Sequence, residues 1–216
     1  MKRKPTVKKI LKSNKVSISA YLMRQVQDCL HLAIKARKEG QIHVEIRLSI
    51  NIFLLLGITT EGIINEYGEM LFDKWTWEGM EKSTTPLKWR LISDLKFDPT
   101  SEPLLTIKEV HRLRNKIAHP KPVQHETDII IAGKNGLLVS PDDEDVLPEG
   151  DINVYIGCKK LLMEFNARNA LTKTRNVLKA LIQLKSLFDI KDDLNKWPEE
   201  ILSEIKSITI PKNGFD

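Results

Sequence analysis

Three long stretches of this chain repeat their apolar residues every three or four positions, a spacing that helices satisfy and strands do not. Over about 17–40, Tyr21, Leu22, Val26, Leu30 and Ile34 recur behind a cap at Ser17 or Ser19, until Gly40 interrupts. Over about 44–75, Ile50, Phe53, Leu54, Ile58, Ile64, Tyr67 and Leu71 keep the period, with Gly57 and Gly62 as points suited to a bend or a close helix contact. Over about 159–188, Leu162, Phe165, Val177, Leu181, Leu184 and Phe188 form a third stripe. Shorter helices are predicted over about 86–95, opened by a first-turn proline, and over about 198–205. Another, over about 103–119, is stopped by Pro120 and Pro122, because a residue before proline is pushed out of helical geometry.

One interval breaks this pattern. Ile129-Ile130-Ile131 and Leu137-Leu138-Val139 flank the turn residues Gly133-Lys134-Asn135-Gly136, and Ile152, Val154 and Ile156 alternate. The expected fold class is therefore mainly α: a helical bundle with a small antiparallel β insertion at about 128–156 and a long C-terminal helix. Residues 1–16 read as a flexible basic tail, 17–216 as a single helical domain, and about 159–206 as its C-terminal helices.

Composition excludes several classes. Hydrophobic residues make up 41% and charged residues 29%, which sets the chain apart from collagen-like and disordered sequences. Two cysteines, Cys29 and Cys158, support neither a disulfide scaffold nor a CxxC zinc or redox motif, so a cytoplasmic location is expected. The net charge of +5 is uneven: Lys2, Arg3, Lys4, Lys8, Lys9, Lys12 and Lys15 carry seven positive charges without an acid, leaving the remainder at −2. That tail lacks the apolar core of a secretory signal, so export is not expected. The longest apolar run, 52–58, is seven residues against the roughly 20 of a membrane span, so no membrane crossing is expected. Asp142, Asp143, Glu144, Asp145, Glu149 and Asp151 lack calcium-loop spacing and read as an exposed acidic loop.

The candidate chemistry lies in His111-Arg112-Leu113-Arg114-Asn115-Lys116-Ile117-Ala118-His119-Pro120. At about 100° per residue, Val110, Leu113 and Ile117 share an anchoring face while His111, Arg114, Asn115, Ala118 and His119 fan across the other. Attack on an RNA phosphodiester requires a proton to leave the 2′-hydroxyl, a proton to reach the departing 5′-oxygen, and cover for the charge growing between them. Histidine, with a pKa of about 6.5, exchanges protons near neutrality, and arginine holds phosphoryl oxygens with two donors. Neither step calls for a metal or other cofactor, and none is expected. Arg114 and His119 stand about 140° apart on an ideal helix, so convergence on one phosphate calls for a second copy of the chain.

Arg114-Asn115-Lys116-Ile117-Ala118-His119 resembles the Arg-(four residues)-His motif of the HEPN superfamily. Glu61-Gly62-Ile63-Ile64-Asn65-Glu66 resembles the upstream acidic-then-Asn element of many HEPN proteins, and Pro86-Leu87-Lys88-Trp89 resembles their short Lys-Trp helix, both in the expected order. The resemblance covers about 18–122. It implies an all-helical bundle that pairs two motif helices in a homodimer, and a metal-independent endoribonuclease of toxin or defence type. It also implies roles: Arg114 on the phosphate, His119 as the acid/base or orienting group, Asn115 as a polar helper, and Glu61 holding Arg114 across the helix pair. An antitoxin or nucleotidyltransferase partner is in keeping with the same family.

Further RNA contacts are sought at His111 and Lys116 and along the basic C-terminal helix at Lys159, Lys160, Arg168, Lys173 and Arg175. Trp75, Trp77 and Trp89 read either as base-stacking groups or as packing. His31, His43 and His125 form no metal pair. Two other readings stay open: a catalytically silent HEPN module that binds RNA, a nucleotide or a protein, and a helical scaffold with no active site.

Overall fold

The computed structural model describes residues 18–119, 128–133, 138–139, 152–157, 163–188 and 196–210. Seven helices occupy most of them: α1 (Ile18–Lys38), α2 (Ile42–Leu71), α3 (Lys74–Glu81), α4 (Thr85–Ile92), α5 (Leu104–Ala118), α6 (Ala167–Ser186) and α7 (Trp197–Lys206). The expected basic tail, Pro120 and Pro122, His125, the acidic stretch 142–151, Cys158, Lys159, Lys160 and Leu162 all lie outside the described residues. Backbone pairing joins β1 (Asp128–Gly133), β2 (Leu138–Val139) and β3 (Ile152–Gly157) antiparallel in the order β2-β1-β3, with Ile131 opposite Val139 and Ile130 opposite Tyr155. The expected turn lies, Gly133 apart, outside the described residues.

The 3.6-residue stripes bury as amphipathic helices must. α1 and α2 form an antiparallel pair turned by Gly40, whose φ of 69° suits glycine. α5, α4 and α6 pack against α2, which makes α2 the central helix. Met23, Val26 and Leu30 of α1 join Ile52, Phe53 and Leu56 of α2, Ile107 and Val110 of α5, and Val177 and Leu181 of α6 in one core. Trp89 of α4 is fully buried and stacks on Phe97 at 6.2 Å.

Two helix boundaries differ from the periodicity. The second helix stops at Leu71 rather than running to Trp75, because Phe72 is extended (φ −114°, ψ 155°) and the Asp73 carboxylate accepts from Thr76 N at 3.0 Å, capping a separate helix α3. The long C-terminal helix begins at Ala167, not near 159: Asn166 is extended and its side chain accepts from Asn169 N at 2.8 Å. The alternation of apolar residues runs across such caps, so periodicity alone does not reveal them.

One helix bears on the membrane expectation without settling it. α2 is long and apolar enough, by length and composition, to cross a membrane, with mean hydropathy 1.6 over its most apolar window. No continuous run announces this, because Ser49, Asn51, Gly57, Thr59 and Thr60 interrupt it without lowering the average far. In this fold that hydropathy serves the central position of α2, which also buries Glu45, Ser49, Thr59 and Thr60.

Glu45 forms a buried ion pair with Arg37 at 3.0 Å, both side chains at most 2% exposed. The same carboxylate oxygen accepts from Ala167 N at 2.8 Å, where the first turn of α6 presents unpaired N–H groups. One carboxylate thus ties α1, α2 and α6 together. Breaking a buried pair from one side leaves a desolvated charge without its counterpart. Glu45→Gln is expected to lower unfolding free energy by about 3 kcal/mol, measured by urea denaturation; a loss under about 1 kcal/mol would contradict this assignment.

Candidate functional site

α5 carries the motif. Leu104, Ile107, Val110 and Leu113 anchor it in the core, with Ile117 partly buried behind them, leaving the opposite side to present Arg114, Asn115 and His119. Arg114 does not simply extend into water. Its stem lies across α2 at Gly57, where an added Cβ would stand 2.7 Å from Arg114 Cγ and 2.8 Å from its Cβ. Glycine is therefore required for the two helices to meet this closely. Beyond the stem, Arg114 Nη1 donates to Asn115 Oδ1 at 2.9 Å, and Nη2 stands 3.9 Å from Glu61 Oε2. These side chains are 31% and 38% exposed, so the contact orients the guanidinium without withdrawing it from solvent.

His119 follows the last helical residue. Its backbone has left the helix (φ −127°, ψ 66°) while its N–H still donates to Asn115 O at 2.9 Å, and its side chain is exposed. Arg114 and His119 are both accessible from outside, and one chain holds them at the ends of the final turn and a half of α5.

His111 is a correction. Read as part of the presented face, it is buried against α2, its Nε2 2.9 Å from Thr60 Oγ1. Burial, reinforced by the charges of Arg114 and Lys88, lowers its pKa to about 4, so this imidazole is neutral at pH 7 and is not part of the exposed face. The Thr60 hydroxyl also lies 2.8 Å from Leu56 O, and Thr60 O accepts from Trp89 Nε1 at 3.2 Å. Thr60 thereby joins α2 to both α4 and α5. Position 111 deceives because the buried stripe of α5 is wider than the face drawn through Val110, Leu113 and Ile117.

The other expected RNA contacts are used within the chain. Lys116 pairs with Glu164 and lies 6.0 Å from the centre of the Phe165 ring, while Arg112 reaches the same carboxylate at 3.5 Å. Burial alone raises the Glu164 carboxyl, but Lys116 and Arg112 outweigh it and hold it below its ordinary value. Lys173 pairs with Glu109. Arg175 donates to Ile205 O, Lys206 O and Ile208 O at 2.7–2.9 Å, satisfying carbonyls at the end of α7. Arg168 donates to Ile210 O at 2.8 Å. The basic helix is thus a brace for the C-terminal segment, and the sequence offered no acceptors by which to foresee this, since backbone carbonyls are invisible in composition. Lys159 and Lys160 lie outside the described residues.

Trp77 and Trp89 are buried packing residues, whereas Trp75 is 83% exposed on α3. Among the described residues no three His, Cys, Asp or Glu side chains gather as metal ligands would. Chemically, the arrangement presents an oriented guanidinium, an amide and an exposed imidazole around the last turns of α5. A scan against protein-family models, a search of the curated proteins and a search of the solved structures each find no match.

Two predictions follow from these contacts. Gly57→Ala gains up to about 1 kcal/mol of helix propensity but forces Arg114 and α5 outward, and a net destabilisation of about 1–2 kcal/mol is expected from thermal melts; a stabilised variant would contradict the close approach. The unfolded chain protonates His111 near pH 6.5 and the folded chain only near 4, so the unfolded state binds more protons between those values and acid removes stability. Between pH 6.5 and 5.0, wild type is expected to lose about 1–2 kcal/mol more than His111→Gln. Equal losses would mean that the imidazole is not buried neutral.

Proposed function

We propose that this chain is a HEPN-like RNA-binding protein, and that it acts as a metal-independent endoribonuclease through Arg114 and His119 contributed by two copies. The observation that carries this reading is the state of Arg114. Its stem is held in the Gly57 notch, its head is oriented by Asn115 and Glu61, and it is still about a third exposed. An arginine fixed in direction but open to solvent is pre-organised for a phosphoryl oxygen. The fit of the guanidinium to Glu61, loose at 3.9 Å, leaves donors for an incoming anion.

In the reaction this implies, the 2′-oxygen bonds to phosphorus as the bond to the 5′-oxygen breaks; His119 either takes the 2′-hydroxyl proton or gives one to the departing oxygen, and water makes the other transfer. Arg114 meets the charge that grows on the phosphorus oxygens, and Asn115 keeps the guanidinium from rotating away. One protomer supplies each group once. With the two set about 140° apart around α5, pairing two motif helices brings an arginine and a histidine to opposite sides of one phosphate. A homodimer, a cytoplasmic setting and restraint by an antitoxin or nucleotidyltransferase belong to the same proposal.

A second reading rests on the braced basic residues. Lys116, Arg168, Lys173 and Arg175 are all engaged within the chain, so these four do not form a free basic track beside Arg114. A catalytically silent module is consistent with that. Incubation with mixed single-stranded RNA in EDTA separates the two. Wild type is expected to cleave, and Arg114→Ala and His119→Ala to reduce the rate by about 10²-fold or more while remaining folded by circular dichroism. RNA bound but uncut favours the silent module; cleavage that survives His119→Ala contradicts the catalytic assignment.

A further inference from the structure

Lys88 of α4 is only 3% exposed, yet among the described residues its ammonium has one polar partner, Asn65 Oδ1 at 3.0 Å. The Trp77 ring lies 5.7 Å away on another side. Neither the amide nor the ring carries a charge, and α4 (Thr85–Ile92) contains no acid. An ammonium has three donors, and withdrawing it from water costs several kcal/mol unless a counter-charge answers it. Packing alone does not call for lysine here.

The position of its partner gives the charge a context. Asn65 stands one turn beyond Glu61 on α2, and Glu61 is the carboxylate that Arg114 approaches. Two cations from two different helices thus approach successive turns of one α2 face. Glu66, adjacent to Asn65, accepts instead from Ser19 Oγ of α1 at 3.2 Å. His111, on the same helix as Arg114 and in contact with Thr60 of α2, adds no charge, being kept neutral by burial and by Arg114 and Lys88 themselves. Lys88, held by a neutral amide, and Arg114, loosely met by Glu61, are the two cations that approach this face.

We propose that Lys88 is a second phosphate-binding cation of the Arg114 site, engaging the RNA backbone over Asn65 and Glu61; this rests on the RNA reading of that site. The flexible lysine stem carries the ammonium from Asn65 to the anion, and charge-assisted bonds of about 2.8 Å replace a neutral one. Lys88 is in this account a binding group, and the proton transfers stay with His119.

The test uses the full chain and a labelled single-stranded 2′-deoxy oligonucleotide, which has no 2′-hydroxyl and is not cleaved, so binding is read without turnover. Lys88→Met is expected to weaken binding about five- to tenfold and to reduce the slope of log affinity against log salt by about 0.7. Its melting temperature stays at or above that of wild type, since methionine fills the space without a buried charge. Lys88→Arg retains most of the affinity. Wild-type binding by Lys88→Met, with Arg114→Ala weakened, overturns the role of Lys88 and leaves the RNA reading standing. A wild-type chain that fails to bind the strand overturns both. If Lys88→Met does not fold, Lys88→Gln, which keeps a polar head for Asn65, enters the same titration, and its wild-type affinity and salt slope would overturn the proposal.

Discussion

The contact of Arg114 with Gly57 sets the distance between α2 and α5, and the candidate site depends on that distance. With no Cβ on α2, the arginine stem lies flat against the helix backbone, and its head emerges beside Glu61 rather than at the end of an unsupported side chain. A larger residue at 57 would move α5 outward, and with it the approach of His111 to Thr60 and the orientation of the motif turn. An alkyl stem buried along a helix with its charge at the edge is a normal way for arginine to combine packing and exposure. Here the same arrangement removes conformational freedom that a phosphate would otherwise have to remove on binding.

Around that contact the bundle holds polar groups in three distinct states. Arg37 and Glu45 are a closed pair, sealed from water and completed by the first turn of α6. His111 is neutral, its ring turned to the Thr60 hydroxyl. Lys88 is buried against a neutral amide and a ring face. The first state holds the architecture, and the second fills the α2–α5 interface without charge. The third is a buried cation in a low-dielectric setting, where one charge acts more strongly than it would in water.

Much of the helical layout was legible in the sequence, because apolar residues at three- and four-residue spacing report the buried face directly. The ends of α2 and the start of α6 were not, since Asp73 and Asn166 stop and start helices by side-chain capping while the apolar alternation continues past them. Arg114 and His119 stand out through the resemblance of their motif, and Gly57 reads as a point suited to either a bend or a close helix contact. The burial of His111 was hidden because a helix face drawn from Val110, Leu113 and Ile117 is too narrow. The internal use of Arg168, Lys173 and Arg175 was hidden because their partners, backbone carbonyls for both arginines, come from distant segments. Lys88 was noticed only as part of a pattern. Its isolation as a buried cation is a fact of three helices meeting and appears in no single stretch of sequence.

The central claim is that an arginine and a histidine from two copies of α5 act on one phosphate, and mixing complementary variants tests it most directly. Arg114→Ala and His119→Ala chains, each inactive alone, are exchanged into mixed dimers and assayed on single-stranded RNA in EDTA. A composite site predicts that cleavage returns in the mixture, because one pairing unites an intact Arg114 with the partner copy's intact His119. A wild-type chain that cleaves RNA while the mixture stays inactive would contradict the account.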